Sequence, residues 1–360
     1  MIAEGAVFEL SATLSSAGLV GSTSAAIEWG DGFESPATSV NGPDATGPLR
    51  IRFDYSLDSG NFFGGANQFR RAILQTAADA VIHKFADNLS AITPAGKAEW
   101  IPAVFHSSSG PANQPVGTLV SLPRNLVIAS NEIIIYAGAR DLPGNRVGVG
   151  GTGSYSFPAA SNLTPAEIQQ INAFREVVAG RGQAGALASP QTDLGPWGGS
   201  ISFDSQTQWY FGNDASGIGD DDVDFISIAT HEIAHVLGFG INRTDATTSW
   251  DRLATSTEFA GPKARAAYQG NGNVPLQNDH WAAAVLDQYS QPTLMAAQIP
   301  RGKRQLFTEL DFAAMDDIGW DVLSTKSTIT ANHRFPDDGS YPVRVVLRGS
   351  RSGEIVHEVA

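Results

Sequence analysis

The chain has 360 residues, long enough for two ordinary domains or one large one, which excludes a stapled mini-protein or a disordered tail. A formal net charge of −14, from 23 Lys and Arg against 37 Asp and Glu, argues against a nucleic-acid partner, and no stretch approaches 18 uncharged apolar residues, so no membrane-spanning helix is expected. Because Cys is absent, disulfides, thiolate metal sites and a Cys nucleophile are excluded, and a bound transition metal must rest on His and carboxylates.

The acidic, Lys-poor, Cys-free composition fits a secreted or cell-surface protein of bacterial type. Both chain ends read as β-structure. Ala6–Thr13 and Ala25–Trp29 precede the turn Gly30-Asp31-Gly32, and towards the other end Pro336-Asp337-Asp338-Gly339 precedes a strand-forming run over 341–347. Between them the character changes. After a strand over 49–55, Phe69, Ile73, Leu74, Ala77, Val81 and Phe85 recur mostly at steps of three or four, which predicts a helix with one apolar face. The Ile-rich stretch 131–137 reads as a buried strand, and Gly148–Gly153 as a loop that lacks the Lys-Ser/Thr of a phosphate-binding turn. Thr164-Pro165-Ala166-Glu167 opens a helix with a capping box. Residues 180–198 read as loop and 199–203 as a strand, after which Asp220, Asp221, Asp222 and Asp224 lead into a strongly apolar helix beginning near Phe225. The pattern as a whole predicts an α+β fold.

That last helix contains His231-Glu232-Ile233-Ala234-His235. Composition alone would produce His-Glu-x-x-His about 0.005 times in such a chain. Residues four apart share a helix face, so both imidazoles can converge on one Zn²⁺, with Glu232 one residue round as a general base for water. A catalytic zinc needs a third protein ligand. Gly238 suits a helix stop that lets the chain turn away beneath the metal. Single carboxylates at Asp245, Asp251, Glu258 and Glu309 are alternatives for the third ligand, and His83, His106, His333 and His357 read as structural or surface residues. Asp214, Asp220, Asp221, Asp222 and Asp224 could bind Ca²⁺ through oxygens, although acids ahead of a helix N-terminus are favourable without an ion.

His231-Glu232-x-x-His235-x-x-Gly238 resembles the start of the metzincin zinc-peptidase motif, with Ile241 where most members place their third ligand. The departure resembles the leishmanolysin-like branch, which takes its third His after a long insertion and shortly before a Met-containing turn. Asn278-Asp279-His280-Trp281 and Pro292-Thr293-Leu294-Met295 stand in that order, and the stretch 308–320 ending Asp317-Ile318-Gly319-Trp320 resembles the helix closing the catalytic domain. The resemblance implies His280 as third ligand and Met295 as a structural residue under the site. It further implies that Gly199, Ser200 and Ile201 lie on an edge strand that binds extended substrate by strand addition. Ala25–Gly32 and His333–Leu347 resemble the two halves of a PKD-type β-sandwich. The expected organisation is therefore residues 1–42 and 325–360 as one sandwich, interrupted by a zinc peptidase at 43–324. The expected function is a secreted zinc endopeptidase acting on protein or peptide substrates; the alternative is an adhesion module whose peptidase-like part only binds.

Overall fold

The computed structural model describes residues 7–15, 23–37, 39–41, 47–241, 248–323, 326–349 and 353–359. It is a mixed α+β protein with many strands and few helices. Its centre is a four-stranded sheet in the order Arg50–Asp54, Glu132–Arg140, Gly198–Asp204, Gly148–Thr152, in which the first three strands are parallel and the last is antiparallel. Helices α1 (Arg70–Ile82) and α3 (Phe225–Val236) share one apolar core with Ile133, Ile135 and Ala137, whereas α2 (Pro165–Gly180) shares another with Ile134 and Tyr136. Successive side chains of a strand point to opposite faces, so a strand covered on both sides needs apolar residues throughout. This is why 132–140 is an Ile-rich run rather than an alternating one.

The expected helix over Ile73, Leu74, Ala77 and Val81 is α1, whose core face those residues form; Phe69 precedes the helix and is 53% exposed. Helix α2 starts as its residues require: Thr164 accepts from the Glu167 N–H at 3.3 Å and Glu167 accepts from the Thr164 N–H at 2.8 Å. Helices α4 (Pro262–Ala267) and α5 (Glu309–Asp317) lie beyond α3, and the Asp317 carboxylate accepts from Lys263 N and Ala264 N in the first turn of α4. After α5, Trp320 stacks on Phe85 at 4.8 Å and donates its indole N–H to the Leu237 carbonyl at 2.8 Å, pinning the end of α3.

Two expectations about the sheet are corrected. Gly148–Thr152 is a strand rather than a loop, and Gly198–Asp204 is interior rather than an edge, because it pairs with Glu132–Arg140 on one side and with Gly148–Thr152 on the other. The edge beside α3 is therefore Gly148–Thr152.

Strands from both chain ends pair with each other. Val7–Ser15 runs antiparallel to Lys326–Arg334, and Thr23–Glu28 lies antiparallel between Arg344–Gly349 and Glu34–Pro36. Leu10, Ile27, Trp29, Ile329, Val345 and Leu347, drawn from both sheets, form one buried cluster. The expected boundaries at 42/43 and 324/325, like Ala6 and Asp245, lie outside the described residues. Among the described residues no helix is long and apolar enough to cross a membrane.

Candidate metal centre

Helix α3 is buried along nearly its whole length, which its apolar sequence requires. Asp224 caps it, accepting from the Ser227 N–H at 3.0 Å, and Arg304 grips both oxygens of that cap, Nε to Oδ2 at 3.0 Å and Nη2 to Oδ1 at 2.7 Å. The four-residue spacing brings His231 and His235 to one side. Gly238, at φ +109°, then turns the chain where a Cβ would lie 2.8 Å from Leu194 Cδ1. The chain returns as a hairpin of Val274–Gln277 with His280–Trp281. Its two loop residues, Asn278 and Asp279, have φ of 53° and 62°, as a type I′ hairpin turn requires. The hairpin carries His280 up to the helix.

The three imidazoles meet through their Nε2 atoms. His235 Nε2 lies 3.1 Å from that of His231 and 3.1 Å from that of His280. Each Nδ1 faces a backbone carbonyl: Leu294 for His231 at 3.0 Å, Phe239 for His235 at 2.8 Å and Asn278 for His280 at 2.7 Å. A carbonyl only accepts, so each Nδ1 carries a proton, which leaves Nε2 as the nitrogen able to offer a lone pair. Three lone pairs at such separations repel one another unless a cation lies among them, and this donor set fits a transition metal. Burial, together with neighbouring imidazoles, pushes the His231 pKa down to about 3 and that of His235 well below its ordinary value, which keeps both rings neutral.

Beside the cluster, Glu232 is buried against the edge strand, and the Gly150 N–H donates to its carboxylate. A Cβ on Gly148 would sit 2.5 Å from Glu232 Oε1, and one on Gly150 2.3 Å from the Glu232 carbonyl oxygen. Only glycine permits this approach. Burial pushes the Glu232 carboxyl up to about 8, with the Gly150 N–H acting in the opposite direction. The cluster and Glu232 lie in a cleft of about 1370 Å³, whose lining includes Gly148, Val149, Gly150, Ala297, Gln298 and Ile299.

Residues 196–258 match a family model described as SPBPB7E8-like. No curated protein and no solved structure matches the chain. The matched stretch runs from the interior strand through α3 to Glu258, so it carries His231, Glu232 and His235 and ends before His280.

The other residues singled out in the sequence lie elsewhere. Glu258 is exposed and accepts from Asn273, Asp251 accepts from Thr248, and Glu309 begins α5; among the described residues none of them joins the histidines. Gly199, Ser200 and Ile201 are buried in the interior strand, whose backbone groups serve the sheet on both sides, so they offer no edge to a peptide. Met295 is fully buried, and its carbonyl accepts from the Trp281 N–H at 2.9 Å. His83 lies 3.8 Å from Asp79, His106 accepts from Ser108 N, His333 bonds Asp31 at 2.7 Å and stacks on Trp29, and His357 packs edge-on to Tyr289. In the acidic group Asp214, Asp222 and Asp224 accept from nearby backbone N–H groups. Sequence reasoning missed the approach of Gly148 and Gly150 to Glu232, although four glycines within 148–153 mark a backbone that something approaches closely.

Proposed function

We propose that the chain is a zinc-dependent endopeptidase of metzincin type, in the leishmanolysin-like branch, acting outside the cell on protein or peptide substrates. The observation that carries this reading is the convergence of three Nε2 atoms next to a buried Glu232, in a cleft lined in part by the edge strand of the central sheet, which among the described residues pairs with one strand only. Zn²⁺ suits a set of three imidazoles, and when bound it would supply a Lewis acid for the scissile carbonyl and for water. His231, His235 and His280 would hold it, their rings oriented by the three carbonyls.

Glu232 takes the proton of the attacking water and passes it to the leaving amine. Its burial raises its affinity for that proton, and the Gly150 N–H fixes the carboxylate against the strand. The outer edge of Gly148–Thr152 binds an extended substrate by strand addition, in the role first expected of Gly199–Ile201. The segment after Met295 also lines the cleft. The pairing of end strands supports the further reading that residues 1–42 and 325–360 build one PKD-type sandwich around the peptidase.

Casein or gelatin turnover by the purified chain, abolished by a chelator and restored by Zn²⁺, is the expected result. A fully zinc-loaded protein that cleaves neither substrate would overturn the reading.

A further inference from the structure

Asp311 lies in the first turn of α5, fully buried, and its oxygens accept five hydrogen bonds. Oδ2 accepts from Thr308 N and Thr308 Oγ1, both at 2.8 Å, and from Leu294 N at 3.0 Å; Oδ1 accepts from the Trp281 indole N–H at 2.8 Å and from Met295 N at 3.3 Å. The two bonds from Thr308 belong to the capping of α5. Helix capping explains none of the other three, of which one goes to the segment that carries His280 and two go to the segment whose Leu294 carbonyl faces His231. The Leu294 carbonyl holds His231 Nδ1, and Trp281 directly follows His280 and donates its own N–H to the Met295 carbonyl.

We propose that Asp311 is the positioning residue that sets His280 against the two helix-borne histidines. It acts through the Trp281 indole and, for His231, through the Leu294 peptide. The inference rests on the metal-centre reading above. His280 directly follows a two-residue turn and is only half-buried, so packing does not by itself fix its ring. Trp281 is buried among Phe239, Trp250 and Phe259, and a carboxylate aimed at its one polar atom fixes the indole in rotation as well as in place. A residue anchored in that way carries its chain neighbour with it.

The same aromatic group supplies the control. Trp250 is also fully buried, stacks on Phe259 at 4.6 Å, and has an indole nitrogen with no hydrogen-bond partner among the described residues. Trp281→Phe and Trp250→Phe therefore remove the same atoms from the same cluster, but only the first breaks a bond to Asp311. Zn²⁺ affinity, measured by competition with a chromophoric chelator, should fall about 10- to 100-fold in Trp281→Phe and less than about threefold in Trp250→Phe. The double variant Asp311→Asn/Trp281→Phe should bind no more weakly than Asp311→Asn alone. In the metal-free protein, the imidazole nitrogen resonances of His280 should shift in Trp281→Phe and stay in place in Trp250→Phe. If Asp311→Asn does not fold, the two Trp variants decide the matter. Equal loss of affinity in both, or unmoved His280 resonances in Trp281→Phe, overturns the proposal. Wild-type protein that takes up no zinc would overturn the metal-centre reading instead, while the His280 resonances would still decide whether Asp311 positions that ring.

Discussion

Helix α3 and the 274–281 hairpin bring the same side chain to the same point by different means. The helix arrives buried, its cap Asp224 paired with a guanidinium and the Leu237 carbonyl at its end tied to Trp320. The hairpin arrives on two left-handed residues, with a half-buried histidine at its tip, and its polar anchor is a carboxylate. On the helix, two ligands follow from backbone geometry once the helix exists, because residues four apart share a face. On the hairpin, one histidine depends on a turn and an indole of the hairpin itself and on a carboxylate from a second, distant stretch of chain. A site built this way has a rigid wall and a wall held by a few polar contacts.

The largest effect is expected on the rigid wall. Glu232→Gln keeps the volume and the histidines while removing proton transfer, so kcat should fall by about 10²–10⁴ with metal content unchanged, read by turnover alongside elemental analysis. Activity near wild type would end the case for a general base on α3. Ligand removal tests both walls together. His235→Ala and His280→Ala should each lower metal occupancy by more than the roughly 10- to 100-fold typical of outer partners, whereas Glu258→Ala and Asp251→Ala should leave it intact. Diffraction at the zinc edge that placed a carboxylate where His280 stands would break the comparison, because the hairpin would then not be a wall of the site at all.

The same contrast decides what could be read from the amino acids. His231, Glu232 and His235 were legible because one element of known period contains all three, and Gly238 because a left-handed residue commonly ends a helix. His280 was legible only through a family resemblance, since no periodicity links residues 235 and 280. The Asn278-Asp279 pair was a local signal for a hairpin turn, and it went unread. The strand order was not legible either. Gly198–Asp204 and Gly148–Thr152 are both short and Gly-containing, and which of them is the edge depends on pairings across fifty residues. The role of Asp311 was hidden for the same reason, because an Asp three residues after Thr308 reads as a helix cap and its other partners are distant in sequence.

A smaller loss is expected from crowding the rigid wall at the edge strand. Gly148→Ala places a methyl 2.5 Å from Glu232 Oε1, and either the strand or the carboxylate must move. Displacement on the order of 1 Å at a reacting group costs about 10²-fold, so kcat should drop by roughly that factor while zinc affinity stays within a few fold. Gly151→Ala is the matched control, because its Cβ would meet nothing within 4 Å. Equal losses in the two variants would mean that strand flexibility, rather than contact with Glu232, sets the rate.

The smallest effect belongs to the segment that follows the hairpin and appears in stability rather than rate. Asp287 is buried in the turn that leads to Met295, where its Oδ1 accepts from Tyr289 N and Gln291 N, both at 2.9 Å. Burial pushes its pKa from the ordinary 3.8 up to about 6, against the effect of those two N–H groups and with help from the nearby charges of Asp311 and Glu309. Unlike Asp224 on the helix wall, it sits among acids. The folded protein therefore binds this proton more tightly than the unfolded chain does, so the stabilisation is fully present below pH 3.8 and is lost as the pH rises through about 6. Asp287→Asn keeps an oxygen for both N–H groups and buries no charge. Thermal unfolding should show the variant more stable than wild type by on the order of 2 kcal/mol at pH 8, with the gap closing below pH 4. A gap that does not change with pH, or a variant less stable at pH 8, would mean that Asp287 stays ionised at little cost, and that the segment after the hairpin is as well compensated as the helix wall.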